Sequence, residues 1–156
     1  VKRIGETALL ASEGETAMAQ LTQALKDQDA AVRYWAATGL GNIGKPAVDS
    51  ASLLRGMLTT EPSSVVRTAA ARALCRFGIV DAALPTLVQE LHHGEQWERL
   101  HAAIVLDQID EQAKPVIQEM HEALQPRTDL YANGKYVIRV INRALNQLES
   151  TSRVVP

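Results

Sequence analysis

Apolar positions along this chain fall three and four residues apart, and the same arrangement returns several times. Three segments superimpose without a gap: Val32-Arg33-Tyr34-Trp35-Ala36-Ala37-Thr38-Gly39-Leu40, Val66-Arg67-Thr68-Ala69-Ala70-Ala71-Arg72-Ala73-Leu74 and Glu98-Arg99-Leu100-His101-Ala102-Ala103-Ile104-Val105-Leu106. A fourth, Ile138-Arg139-Val140-Ile141-Asn142-Arg143-Ala144-Leu145, fits with one residue fewer before its leucine. The four arginines stand 34, 32 and 40 residues apart. Counted from each arginine, offsets −1, +3, +7 and +10 share one face of an α-helix. Alanine pairs at the third and fourth places (Ala36-Ala37, Ala70-Ala71, Ala102-Ala103) let a neighbouring helix come close on that face. Such internal repetition over 30–40 residues is the mark of a stacked array of small units.

Each arginine-bearing helix follows another amphipathic segment: Ala17–Leu25, Ala51–Leu58, Ala82–Leu91 and Pro115–Leu124. Pro46, Pro85 and Pro115 suit the first turns of these leading partners, where a missing N–H costs nothing. Asp27 or Asp29, Ser63 or Ser64, and Glu95 stand where the second helices need a cap. Gly44 and Gly78 suit helix C-termini, with Asp110 at the third equivalent place. No stretch alternates apolar and polar residues as a strand would. The expected fold is therefore all-α: a right-handed α-α superhelix of about four helix pairs, with one extra leading helix over roughly Lys2–Ala11. The pairs form a single domain over 1–149, with repeats near 15–45, 46–79, 80–110 and 111–149, and 150–156 as a flexible tail.

Composition narrows the function more than the fold. The 156 residues are 46% hydrophobic and 22% charged, which is globular rather than disordered composition. Sixteen Lys and Arg against eighteen Asp and Glu give a net charge of −2, which offers no electrostatic reason for a nucleic acid or membrane partner. One cysteine, Cys75, excludes an internal disulfide framework and a cysteine-rich zinc site. No apolar run reaches the length of a membrane span, and the start lacks a signal-peptide core. Because it begins with Val, the chain is expected to be a piece of something longer or a processed product.

Few residues point to chemistry. Arg33, Arg67, Arg99 and Arg139 are expected to form a structural ladder, each bonding an Asp or an orphan carbonyl of the adjoining repeat. His92, His93, His101 and His121 lack metal-ligand spacing, and Cys75 sits mid-helix with no paired His. Asp107, Asp110 and Glu111 form a carboxylate cluster at a helix end without the second half of a catalytic set. No catalytic residue, metal or cofactor is expected. Offsets +1, +5, +8 and +9 leave the core face, and in a solenoid whose second helices line the concave side they are expected to point into that groove. Tyr34, Thr38, Arg72, Arg76, Leu100, Ile104, Asp107 and Gln108 are the candidate binding residues there, a mixture suited to protein recognition. The extra residues Gln125–Lys135 before the last second helix make a connection long enough to be functional or mobile.

Asp29-Ala30-Ala31-Val32-Arg33, echoed in Ser63-Ser64-Val65-Val66-Arg67 and Glu95-Gln96-Trp97-Glu98-Arg99, resembles the Asp-x-x-Val-Arg entry of HEAT-like repeats over about Ala17–Leu148. Ala31–Leu40, Ala71–Gly78, Trp97–Ala103 and Tyr136–Val140 look more narrowly like the HEAT-like domain that follows the catalytic domain of some bacterial arylsulfatase-type proteins. The sulfatase motif Cys/Ser-x-Pro-x-Arg is absent, since Arg76 and Phe77 follow Cys75. The resemblance therefore implies a non-enzymatic interaction or scaffold module, an accessory domain whose partner is another protein or its own upstream catalytic domain. It implies a periplasmic or secreted location if attached to a sulfatase, and a cytoplasmic one otherwise. HEAT-like phycobilin lyases are the alternative, acting on a bilin with a partner chain. HEAT-like alkylpurine DNA glycosylases need a more basic face than Arg72, Arg76, Arg139 and Arg143 supply, and the single His121-Glu122 falls short of the several such pairs of HEAT-like deoxyhypusine hydroxylases. Uncapped terminal repeats would expose an apolar face and favour self-association.

Overall fold

The computed structural model describes residues 1–154, and of Asn133 the backbone alone; the last two residues of the expected tail, 155 and 156, lie outside the described residues. Among the described residues every regular element is helical. The chain divides into two compact units, Val1–Ala83 and Leu84–Pro156.

The first unit begins with α1 (Lys2–Leu10), followed by a 3-10 turn (Gly14–Ala17), α2 (Met18–Ala24) and α3 (Ala30–Ile43). A second 3-10 turn (Lys45–Ser50) leads into α4 (Ala51–Thr60) and α5 (Ser64–Phe77), and the division between the units falls within α6 (Val80–His93). The second helices α3 and α5 pack side by side, with α2 against α3, α4 against α5, and α1 against α3 as the expected leading helix. The repeat offsets explain this stacking. Ala36, Ala37, Ala70 and Ala71 are wholly buried, as are Leu40 and Leu74 seven places after each arginine. The backbones approach so closely that a Cβ on Gly39 would lie 2.8 Å from the Ala11 Cα, and one on Gly41 3.1 Å from the Ala73 Cα. The helices begin and end on the residues the sequence marks. Asp29 accepts from the Ala31 N–H at 2.9 Å as N-cap of α3. Gly78 closes α5 in the left-handed conformation (φ 86°), and the Ile79 N–H reaches the Leu74 carbonyl at 2.9 Å.

The second unit holds most of α6, then α7 (Gln96–Gln108), a 3-10 turn (Asp110–Val116), α8 (Ile117–Glu122), another 3-10 turn (Tyr131–Gly134) and α9 (Lys135–Leu148). Here α7 packs on α9 and α8 on α9. Ala102, Ala103 and Leu106 are again wholly buried. After α9 the chain turns back. The Asn146 amide donates to the Arg153 carbonyl at 2.9 Å, and its oxygen accepts from the Arg153 N–H at 3.0 Å and the Thr151 hydroxyl at 2.8 Å.

The prolines depart from expectation. Pro46 and Pro115 lie in 3-10 turns ahead of α4 and α8 rather than in their first α-helical turn. Pro85 lies five residues inside α6, which begins at Val80. Its ring nitrogen cannot donate to the Asp81 carbonyl four residues back, and Asp81 and Pro85 are both exposed residues.

Two alanine substitutions separate close approach from helix propensity. Gly39→Ala forces a methyl against backbone atoms and is expected to destabilise the chain by about 1–2 kcal/mol despite its better helix propensity. Gly56→Ala, in open space on α4, is expected to stabilise by ~0.5–1 kcal/mol. The two urea midpoints, followed by circular dichroism, should move in opposite directions.

Candidate functional site

Arg33, Arg67 and Arg99 are each the fourth residue of a second helix, and each reaches back to carbonyls at or beyond the end of the preceding first helix. The Arg33 Nη1 donates to the Asp27 and Gln28 carbonyls at 2.8 and 2.9 Å. Arg67 does the same to Glu61 and Pro62 at 2.8 and 3.0 Å, and Arg99 to His92 at 2.8 Å. These carbonyls belong to the class that a helix end leaves without intrahelical donors, and they lie in the arginine's own repeat. The neighbouring repeat supplies a carboxylate instead. Arg33 Nε and Nη2 each lie 2.7 Å from an oxygen of Glu61, a two-pronged pair. Arg3 of α1 makes the corresponding contact to Asp27 at 2.8 Å.

Asp27 and Glu61 stand two residues before the N-caps of α3 and α5, and each also accepts from that N-cap's N–H, at 2.8 and 3.0 Å. Sequence reading weighed Asp27 only as a cap and passed over Arg3 and Glu61. The signal that could have found them is the acid two places before each N-cap. Arg99 is buried, and burial lowers its pKa, with the charge of Arg127 acting in the same direction and Asp129 opposing. Arg139 lies exposed on α9, beyond the longer connection.

The expected binding residues of the first unit share one surface. Tyr34 and Thr38 are half-buried along α3, with Asn42 exposed one turn further. Across from them on α5 are Arg72, half-buried, and Arg76, exposed in the last turn. Arg72 Nη1 donates to Asn42 Oδ1 at 3.2 Å. The missing side chain at Gly41 makes room for that guanidinium, since a Cβ there would lie 3.3 Å from Arg72 Nη1. Burial lowers the Arg72 pKa, the charge of Arg76 adds to this, and Tyr34 opposes it. Tyr34 and Trp35 meet edge to face with centroids 5.4 Å apart.

The second unit uses its residues differently. Leu100 and Ile104 are half-buried on α7, and Gln108 is exposed. Asp107, placed by its offset on the groove face, is instead buried against Arg143 of α9, which donates to Oδ1 from Nε at 3.0 Å and to Oδ2 from Nη2. Gln147 Nε2 donates to Asp110 Oδ1 at 2.8 Å. Asp107 therefore fastens α7 to α9. The long connection carries its own pair, Arg127 to Asp129 at 2.8 and 2.5 Å, whose hydrogen bonds bring the Asp129 carboxyl down to about 2. Tyr131 stacks on Tyr136, centroids 6.4 Å apart, with the Lys135 ammonium 5.5 Å from the Tyr136 ring centre.

His121 Nε2 lies 2.7 Å from Glu149, which Arg153 also contacts at 3.1 Å. Among the described residues no three His, Cys, Asp or Glu side chains gather where they could hold a metal ion, and no helix is long and apolar enough to cross a membrane. Cys75 is buried, and burial pushes its thiol up to about 11.

These environments have measurable consequences. Cys75 in the folded chain at pH 7.5 should react with iodoacetamide at least about a hundredfold more slowly than in the urea-unfolded chain, because the thiolate is the reactive form; equal rates would contradict its burial. Removing one partner of the buried Arg33–Glu61 pair by Arg33→Ala should cost about 3 kcal/mol. The hydrogen bonds from Arg33 hold the Glu61 carboxyl below its ordinary 4.5, so the pair's stabilisation is complete above that pH and lost as pH falls through the lowered folded value. Glu61→Gln should flatten that acid limb in a plot of urea midpoint against pH.

Residues 4–75 match the family model for HEAT repeats, and residues 66–93 match that for the PBS lyase HEAT-like repeat. No curated protein matches the chain. The matches cover α3 and α5 with the arginines at their starts, the same helices that stack through alanine and glycine. On this architecture and these matches, residues 4–93 are built as HEAT-like repeats.

Proposed function

We propose that the chain is a non-enzymatic protein-interaction module that works through the exposed face of its second helices. The observation that carries this reading is the surface of the first unit, where α3 and α5 hold Tyr34, Thr38, Asn42, Arg72 and Arg76 side by side. Tyrosine and arginine are the anchors that interfaces favour. Stacked helical repeats present such surfaces rather than enclosed pockets. Leu100 and Ile104 extend the reading to the second unit as apolar contacts. The setting we infer is that of an accessory domain, in a single repeat domain over 1–149, attached to a sulfatase-like catalytic region. The mass and N-terminal sequence of the native product test that attachment.

The match to the PBS lyase HEAT-like repeat favours a second reading, a lyase-like subunit that handles a bilin with a partner chain. A saturable change in the visible spectrum on adding a bilin would select it over the scaffold.

The interaction reading is tested by placing a photo-crosslinking benzoylphenylalanine at Thr38 or, as a control, at Ser52, which is exposed on α4. Thr38 should give one defined crosslinked peptide, from a partner or from the chain's own longer product, and Ser52 none. Equal, diffuse labelling from both positions would refute an interface on the second helices.

A further inference from the structure

Charge is unevenly distributed in the first unit. The second helices α3 and α5 contain no Asp or Glu, although the whole chain carries eighteen and is net negative. Their four arginines split into two roles. Arg33 and Arg67 sit at the helix starts, bonded to backbone carbonyls. Arg72 and Arg76 sit one turn apart further along α5, on the face they share with Tyr34, Thr38 and Asn42. Like charges at this spacing disfavour each other. Arg72 already donates to Asn42, and Arg76 gains something from the α5 C-terminal dipole.

We propose, resting on the interaction reading above, that this face holds an acidic peptide segment, whose Asp or Glu carboxylates engage Arg72 and Arg76 between Tyr34 and Asn42. A carboxylate arriving here offsets the repulsion between the two arginines, and guanidinium–carboxylate pairs are geometrically specific. The flanking groups suit a peptide. The half-buried Tyr34 ring offers an aromatic wall, and the exposed Asn42 carries a carboxamide that can bond a peptide backbone. A nucleic acid would draw on many phosphate contacts, whereas this layer supplies two arginines.

The test is a display selection of random twelve-residue peptides on the intact chain, followed by fluorescence anisotropy with the peptide recovered. The recovered sequences should be enriched in Asp and Glu. Their affinity should fall about tenfold or more in the double variant Arg72→Gln, Arg76→Gln, and stay unchanged in Arg55→Gln on α4. If the double variant fails to fold, the same loss is read on the unaltered chain with the peptide's acids replaced by Asn and Gln. Peptides without acidic enrichment, or peptides held equally by the double variant, would overturn this inference while leaving an interaction surface elsewhere intact. Recovery of no binding peptide would overturn this inference, while crosslinking from Thr38 decides the interaction reading separately. A twenty-residue oligothymidylate bound more tightly than the peptide through the same arginines would assign the face to nucleic acid and also overturn the proposal.

Discussion

The structure depends on how closely the second helices can approach one another. Ala36, Ala37, Ala70, Ala71, Ala102 and Ala103 have no solvent exposure, and a Cβ on Gly41 of α3 would press on the Ala73 Cα of α5 at 3.1 Å. Where backbones come this near, each helix fixes the axis of the next, and larger side chains are pushed to the borders of the contact. The borders then have separate uses. The leucines at the seventh place are wholly buried, whereas Tyr34, Arg72 and Arg76 are left partly in water. The face proposed for binding follows from the packing: side chains too large for the helix–helix contact have nowhere else to go.

The arginines at the helix starts answer a different constraint. Each first helix ends just before a short turn, and the carbonyls there need donors. A guanidinium can supply several at once, so Arg33 serves two carbonyls of its own repeat and the Glu61 carboxylate of the next. One side chain thereby closes a helix end and fixes the spacing between repeats. In the second unit Asp107 and Arg143 carry the link between α7 and α9 from the far end of the helix, with Gln147 and Asp110 beside them.

The fold was legible because the packing rule is written at fixed offsets. Arginine, two alanines and a leucine recur at the same places in three segments, and the alanines and leucines are wholly buried in each. The caps were legible for the same reason: Asp29, Ser63 and Gly78 sit where backbone geometry restricts the choice of residue. Side chains that meet across repeats were harder to read. Asp107 lies on the outward offset, yet its partner Arg143 is 36 residues away in the repeat whose spacing is irregular. Glu61 stands beside Pro62 in a turn, outside the helical pattern on which the alignment rests. Pro85 misleads because a proline near a helix start reads as its first turn, whereas α6 absorbs it on an exposed part of the helix.

The side chains along α3 and α5 have one more property. Neither helix carries Asp, Glu or His, and the Cys75 thiol is pushed up to about 11. Guanidinium groups stay charged throughout, so this layer neither takes up nor releases a proton between about pH 4 and 8. Any protons exchanged with buffer when something docks on it come from the other molecule. Calorimetry in buffers of different ionisation enthalpy would therefore count the titrating groups of the occupant alone, with this surface as a constant background.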